Sequence, residues 1–201
     1  DAQESRGLGD VYKRQVGYAI LTEMPDDDPE AKVDDQLPQW RIWIGEGRIG
    51  RVLQELDAIQ GMEEPSRRAV RIQLMDAAGL SQQALAELRL LETTGLPPSI
   101  STKLAMIAAQ AGATRLATDL LTPVAASLTS REDLHNALRA ADRADDDGLA
   151  NIVSETLQRL FPGSANLRAF RYRQALADGD HAAAAILVPP GSEGSEAAAF
   201  H

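Results

Sequence analysis

Ala84, Ala117, Ala150 and Ala183 stand 33 residues apart, one after the next, and Ala78, Ala111, Ala144 and Ala177 keep the same step. A self-similar period of this length marks stacked supersecondary units, each unable to cover its apolar face without a neighbour. Small side chains in a fixed register have a mechanical purpose. Where two helices cross with axes about 8–10 Å apart, anything larger than a methyl group at the closest point forces them away from each other. Larger apolar residues follow at helical spacing: Leu88, Leu121 and Ile152 or Val153, then Leu91, Val124 and Leu157. These are expected to fill the layer between adjacent hairpins, giving an all-α solenoid of about four to five helical hairpins.

Composition agrees with that architecture and excludes several functions. The 201 residues are 44% hydrophobic but only 4% aromatic, so alanine and leucine must do most of the packing, which favours close helix contacts over a sheet sandwich. A net charge of -10 disfavours a nucleic-acid partner, because gripping a phosphate backbone takes clustered Lys and Arg. Without cysteine there is no disulfide, no thiolate nucleophile and no cysteine zinc site. The apolar runs at residues 16–21 and 182–188 fall far short of the roughly 20 residues of a membrane helix, so no membrane span is expected. Lysine is confined to Lys13, Lys32 and Lys103 while arginine is frequent, the bias of a GC-rich bacterial source.

The ends differ from the middle. Residues 5–15, Ser-Arg-Gly-Leu-Gly-Asp-Val-Tyr-Lys-Arg-Gln, look like the translated adapter read-through seen at the edges of proteins from metagenomic assemblies. Residues 1–15 are therefore expected to be non-native, with the true N-terminus missing. Residues 22–38 are acidic and punctuated by Pro25, Pro29 and Pro38, so residues 16–36 read as an acidic linker or the end of a preceding domain. Residues 189–201 have the composition of a flexible tail.

Between these ends, proline or serine at entries and glycine at exits punctuate helices. One pair runs from Pro65 to Ala78 and from Ser81 to Glu92, with Gly79 between; a second from Pro98 to Ala111 and from Ala113 to about Leu128, with Gly112 between. A third starts at the cap Ser130-Arg-Glu-Asp133 and resumes from Gly148 to Leu160. The fourth pairs Ser164 to Ala177 with His181 to Val188. A step of 32 back from the first pair aligns Gly47 with Gly79, Val52 with Ala84 and Leu56 with Leu88, which predicts a further hairpin carrying Trp40 and Trp43 on its first helix. The alternation of Trp40, Ile42 and Ile44 is the competing signal, for a short strand.

The turn glycines Gly79 and Gly112, the alanines five residues later, and the closing prolines Pro97 and Pro162 give residues 37–188 a resemblance to the tetratricopeptide-repeat family. The stretch from Phe161 to Phe170 followed by Gly179-Asp-His-Ala-Ala-Ala184 resembles it most. The chain departs from that pattern where Asp145 replaces the turn glycine and where most units lack the early aromatic. The resemblance implies a right-handed superhelix whose first helices line a concave groove for a protein or peptide segment. It places in that groove Gln73 and Asp76 from the first hairpin, Thr102 and Met106 from the second, His135, Arg139 and Asp142 from the third, and Arg168 and Tyr172 from the fourth. Arg139 and Arg168 would offer planar guanidinium donors to a carboxylate or to backbone carbonyls, and Tyr172 a rigid apolar contact with a polar tip.

Residues that could carry a reaction are not spaced to do so. His135 has Asp142 two turns on, but no nucleophile or second histidine joins them, so a surface or groove histidine is expected. Asp145-Asp-Asp-Gly148 has the look of a calcium loop, yet Arg143 and Ser154 occupy its first and twelfth ligand positions; helix capping accounts for the aspartates. Gly45-Glu-Gly-Arg-Ile-Gly50 lacks the strand-loop-helix context and lysine of a phosphate cradle and reads as a turn. No cofactor, no metal and no catalytic residue are expected. The leading expectation is a protein-binding scaffold. The alternatives are a docking repeat of a larger enzyme whose catalytic part lies elsewhere, and a helical array binding single-stranded RNA, which the acidic balance opposes. Compartment, cytoplasmic or periplasmic, and oligomeric state are not legible.

Overall fold

The computed structural model describes residues 29–188; the expectations for residues 1–15, for residues 16–28 and for the tail at residues 189–201 lie outside the described residues. Among the described residues the protein is all-helical, with ten α-helices, one short 3-10 helix and no strand. In chain order they are α1 (Pro29–Gly45), α2 (Ile49–Ala58), α3 (Glu64–Ala77), α4 (Ser81–Arg89), α5 (Pro98–Gln110), α6 (Thr114–Leu121), the 3-10 turn (Ala125–Ser127), α7 (Arg131–Arg143), α8 (Asp147–Leu160), α9 (Ala165–Ala177) and α10 (His181–Leu187).

One turn is used five times. After α1, α3, α5, α7 and α9 the chain enters the left-handed region at Gly47, Gly79, Gly112, Asp145 and Gly179. At each, the next N–H reaches back five residues to a helix carbonyl: Arg48 to Trp43, Leu80 to Met75, Ala113 to Ala108, Asp146 to Ala141 and Asp180 to Ala175, over 2.8–3.0 Å. The left-handed residue's own N–H meets the carbonyl three back. This is the Schellman closure, which satisfies carbonyls the helix end leaves orphaned and turns the chain directly into a second helix. Asp146 and Asp180 then serve twice, their side chains accepting the N–H of Leu149 and of Ala183 to cap α8 and α10.

Asp145 is the exception, with φ of 56° where the other four turns have glycine. A β-carbon costs about 1 kcal/mol or more in this conformation, with aspartate among the residues that bear it best. Asp145→Gly is expected to raise stability by up to about 1 kcal/mol, read as an increase in the denaturation midpoint. An unchanged or lower midpoint contradicts the turn's strain.

The described chain divides into two compact units at Arg67/Arg68. In the first, α1 packs on α2. Residues 29–36, within the stretch expected to be an acidic linker or the end of a preceding domain, are the opening of α1 and not a linker. The reason lies in the spacing: Val33, Leu37 and Trp40 recur at steps of four and three, and Val33 and Trp40 are buried. Proline and acidic residues belong equally to a linker and to the first turn of a helix, where the dipole favours carboxylates. The helix continues through Pro38, which forgoes one backbone bond. The strand alternative for Trp40, Ile42 and Ile44 is thereby corrected: Trp40 is buried and Ile42 is 57% exposed. Trp40 Nε1 donates to Glu55 Oε2 at 3.2 Å, and Arg51 lies 3.9 Å above the Trp43 ring. Arg67 closes the unit by donating to the carbonyls of Asp57, Ile59 and Met62.

In the second unit α5 is the central helix, buried over Ser101, Thr102 and the whole of Leu104–Ala109, and it packs against α4, α6 and α7. Further packing joins α7 to α6 and α8, α8 to the 3-10 turn and α9, and α9 to α10. The first alanine column lies in this core: Ala84 and Ala117 are fully buried and Ala150 nearly so. In the last hairpin the buried residue is Ala184, Ala183 being half-buried, because the step between left-handed residues lengthens from 33 at Gly112 to Asp145 to 34 at Asp145 to Gly179. Of the two candidates at the third hairpin, Val153 is buried and Ile152 is 46% exposed. The second column has another role. Ala111 and Ala144 are C-caps of α5 and α7, and Ala177 is the last residue of α9, so these alanines mark helix ends rather than crossings. The expected helix from Ala113 to about Leu128 stops at Leu121, since proline at 123 cannot supply an interior N–H; the 3-10 turn still buries Val124, Ala125 and Leu128.

Candidate partner-binding surface

Successive hairpins in the second unit are joined by polar side chains, most of them at separations of about one repeat. Thr102 Oγ1 on α5 lies 3.4 Å from Asp133 Oδ1 on α7 and 3.0 Å from the Ser99 carbonyl, so its single hydrogen serves one of the two at a time. Thr118 Oγ1 donates to Asp146 Oδ2 at 2.9 Å, tying α6 to the cap of α8. His135 Nε2 on α7 lies 2.8 Å from Ser164 Oγ, the N-cap of α9. Arg173 Nη2 on α9 meets Asp142 Oδ2 on α7 at 2.7 Å, and Arg171 donates to Gln158 of α8 at 2.9 Å.

The groove residues inferred from the sequence divide into two groups. Gln73 is half-buried and donates to the Ala69 carbonyl of its own helix, while Asp76 accepts from Ser81 at 3.2 Å and braces the α3–α4 turn. Thr102 is wholly buried and Met106 is 7% exposed, so neither offers surface to a ligand; both belong to the core around α5. Their place in the sequence pattern is that of a first-helix face, but α7 packs on α5, where its Asp133 meets Thr102.

His135, Arg139 and Asp142 lie on α7 and Arg168 and Tyr172 on α9, two helices linked by the ties from His135 to Ser164 and from Asp142 to Arg173. His135, Arg139 and Asp142 are four and three residues apart, one face of α7. His135 and Asp142 both reach α9, which turns that face toward α9 and puts Arg139 between the two ties. On α9, Arg168 stands one turn beyond Ser164 and Tyr172 one turn further. Arg139 and Arg168 are exposed and, among the described residues, their guanidiniums make no hydrogen bond or ion pair; Tyr172 is half-buried. With Arg171 and Arg173, the strip concentrates positive charge on a chain whose net charge is -10. Burial, and then the Arg131 cation, hold the His135 imidazole below its ordinary pKa of 6.5.

Sequence reading missed Ser164, Arg171 and Arg173 as partners of this strip. A signal was present: Thr102 to Asp133 and Asp142 to Arg173 are both separated by 31 residues, so polar pairs near the repeat length were candidates for ties between hairpins. Among the described residues no cluster of three or more His, Asp or Glu could hold a metal ion, and no helix is long and apolar enough to cross a membrane. Set against protein-family models, curated proteins and solved structures, the chain matches none.

Proposed function

We propose that the hairpins of the second unit form a tetratricopeptide-like, right-handed solenoid that acts as a scaffold, holding a carboxylate-bearing protein or peptide segment along the α7–α9 face. The observation that carries this reading is the pair of exposed guanidiniums of Arg139 and Arg168, without partners among the described residues, beside the half-buried Tyr172. A guanidinium presents a planar fork that fits a carboxylate in two-point contact, and a tyrosine adds contact area at small entropic cost. The turns at Gly79, Gly112, Asp145 and Gly179 support the repeat reading, since each hairpin of this unit closes by the same backbone bonds.

The test is crosslinking pull-down with the wild type beside Arg139→Ala/Arg168→Ala/Tyr172→Ala. These side chains are not in the core, so the variant is expected to fold while recovering at least about tenfold less partner, as truncation of an Arg and Tyr cluster does at protein interfaces. Equal recovery from wild type and variant removes the surface from consideration. Added salt should weaken capture by the wild type more than by the variant, because charge pairs at an exposed face are screened.

A further inference from the structure

We propose that the α9–α10 hairpin is held on α7 by an acid-sensitive joint, in which the contact between the His135 imidazole and the Ser164 hydroxyl is firmest with the ring neutral and weakens when the ring takes up a proton. The inference does not depend on what the α7–α9 face binds. Ser164 Oγ already accepts the N–H of Leu167 at 3.3 Å as the cap of α9, and it lies 2.8 Å from His135 Nε2. A hydroxyl has one hydrogen. With the ring neutral and its own hydrogen on Nδ1, Nε2 accepts that hydrogen, so Nε2 and the Ser164 hydroxyl satisfy each other. Protonation turns Nε2 into a donor, leaves the serine hydrogen without its acceptor, and sets a cation against the positive end of the α9 dipole.

The charges around the ring favour the neutral form. Arg131, one turn earlier on α7, acts on it directly. Among the elements packed on α7, α5 carries Lys103; α6 carries Arg115 and Asp119; α8 carries Asp147, Glu155 and Arg159, all three exposed. On α9 the charged side chains are Arg168, Arg171 and Arg173, the last two engaged by Gln158 and Asp142. On α7 itself, Asp133 is bound by Thr102 and Asp142 by Arg173, while Glu132, Arg139 and Arg143 are exposed. The joint matters because this hairpin is thinly packed: α9 buries Leu167, Phe170 and Ala175, and α10 buries Ala184 alone. Its other side-chain ties among the described residues, Arg171 to Gln158 and Arg173 to Asp142, involve no histidine.

The sign follows from the lowered pKa. The folded state binds the proton less readily than the unfolded chain, so the contribution of the joint is complete above the ordinary value of 6.5 and is lost as pH falls below it. The experiment is amide hydrogen exchange at about pH 7.5 and about pH 5.5, corrected for intrinsic rates, on the wild type, His135→Gln and Ser164→Asp. Expected in the wild type is a several-fold loss of protection in α9 and α10 at the lower pH, with α5 unchanged. Glutamine cannot titrate, so His135→Gln should show no such loss. In Ser164→Asp the cap persists and its carboxylate attracts the imidazolium, so protection of α9 should hold or rise on acidification. Wild-type protection that is equal at both pH values, a loss of the same size in α5, or a loss undiminished in His135→Gln overturns the proposal.

Discussion

Trp40→Ala is expected to destabilise the first unit by about 3–5 kcal/mol, the range for deleting a large aromatic side chain from a closed site. Trp40 has no exposed surface, and its neighbours at one-turn spacings on the same face, Val33 and Leu37, cannot expand to fill the space. The indole N–H also anchors Glu55, which takes part in an ion pair with Arg51 at 3.5 Å, so truncation leaves that carboxylate without its buried-side donor. The measurement is convenient, because both tryptophans of the chain, Trp40 and Trp43, lie in this unit and their fluorescence reports its unfolding. Trp40→Phe separates the two contributions: it retains most of the apolar volume and removes the donor, and should cost clearly less than alanine. A denaturant midpoint unaffected by Trp40→Ala contradicts the packing of α1 on α2.

The second large effect is expected from the opposite change. Ala117→Leu should cost about 1–3 kcal/mol, because three carbons must enter a position with no exposure on a helix that packs against both α5 and α7. The penalty is one of geometry: leucine is a better match to an apolar site than alanine, so a protein that merely needed hydrophobicity there would be stabilised. Arg115→Leu, two residues earlier on the exposed side of α6, is the control and should stay within about 0.5 kcal/mol of the parent. Thermal denaturation of the two variants side by side gives the comparison. If Ala117→Leu melts with or above the parent, the alanine column does not set the distance between helices.

Much of the helical framework was legible because its determinants are local. A left-handed residue after a helix calls for glycine, and Gly47, Gly79, Gly112 and Gly179 announced four of the five turns. Ser130 and Ser164 announced the starts of α7 and α9 through their side-chain caps. The residues that misled did so where one local pattern has two uses. Proline with aspartate reads as linker or as helix opening, and Val33 and Trp40 decided for helix by being buried. Alanine reads as a core position or as a helix end: Ala84, Ala117 and Ala150 are buried, whereas Ala111, Ala144 and Ala177 stand at helix ends.

The candidate site was less legible, for a different reason. Polar residues on a first-helix face look alike whether they meet solvent, a ligand or the next hairpin. Thr102 and Met106 are covered, Asp142 is engaged by Arg173, and His135 is engaged by Ser164, while Arg139 and Arg168 remain exposed. Partners 29 or 31 residues away decide this, and no window of helical length contains both members of such a pair.

From its order of residues alone this chain determined that it would be helical, where its helices turn, and that small side chains return in register, since each of these depends on backbone preferences within a few positions. Which alanines separate helices, which polar groups lock one hairpin to the next, and which arginines stay open to solvent were decided only when the helices packed. Burial and pairing are properties of neighbours brought together in space, and one repeat's separation along the chain carries no information about the angle at which two helices meet.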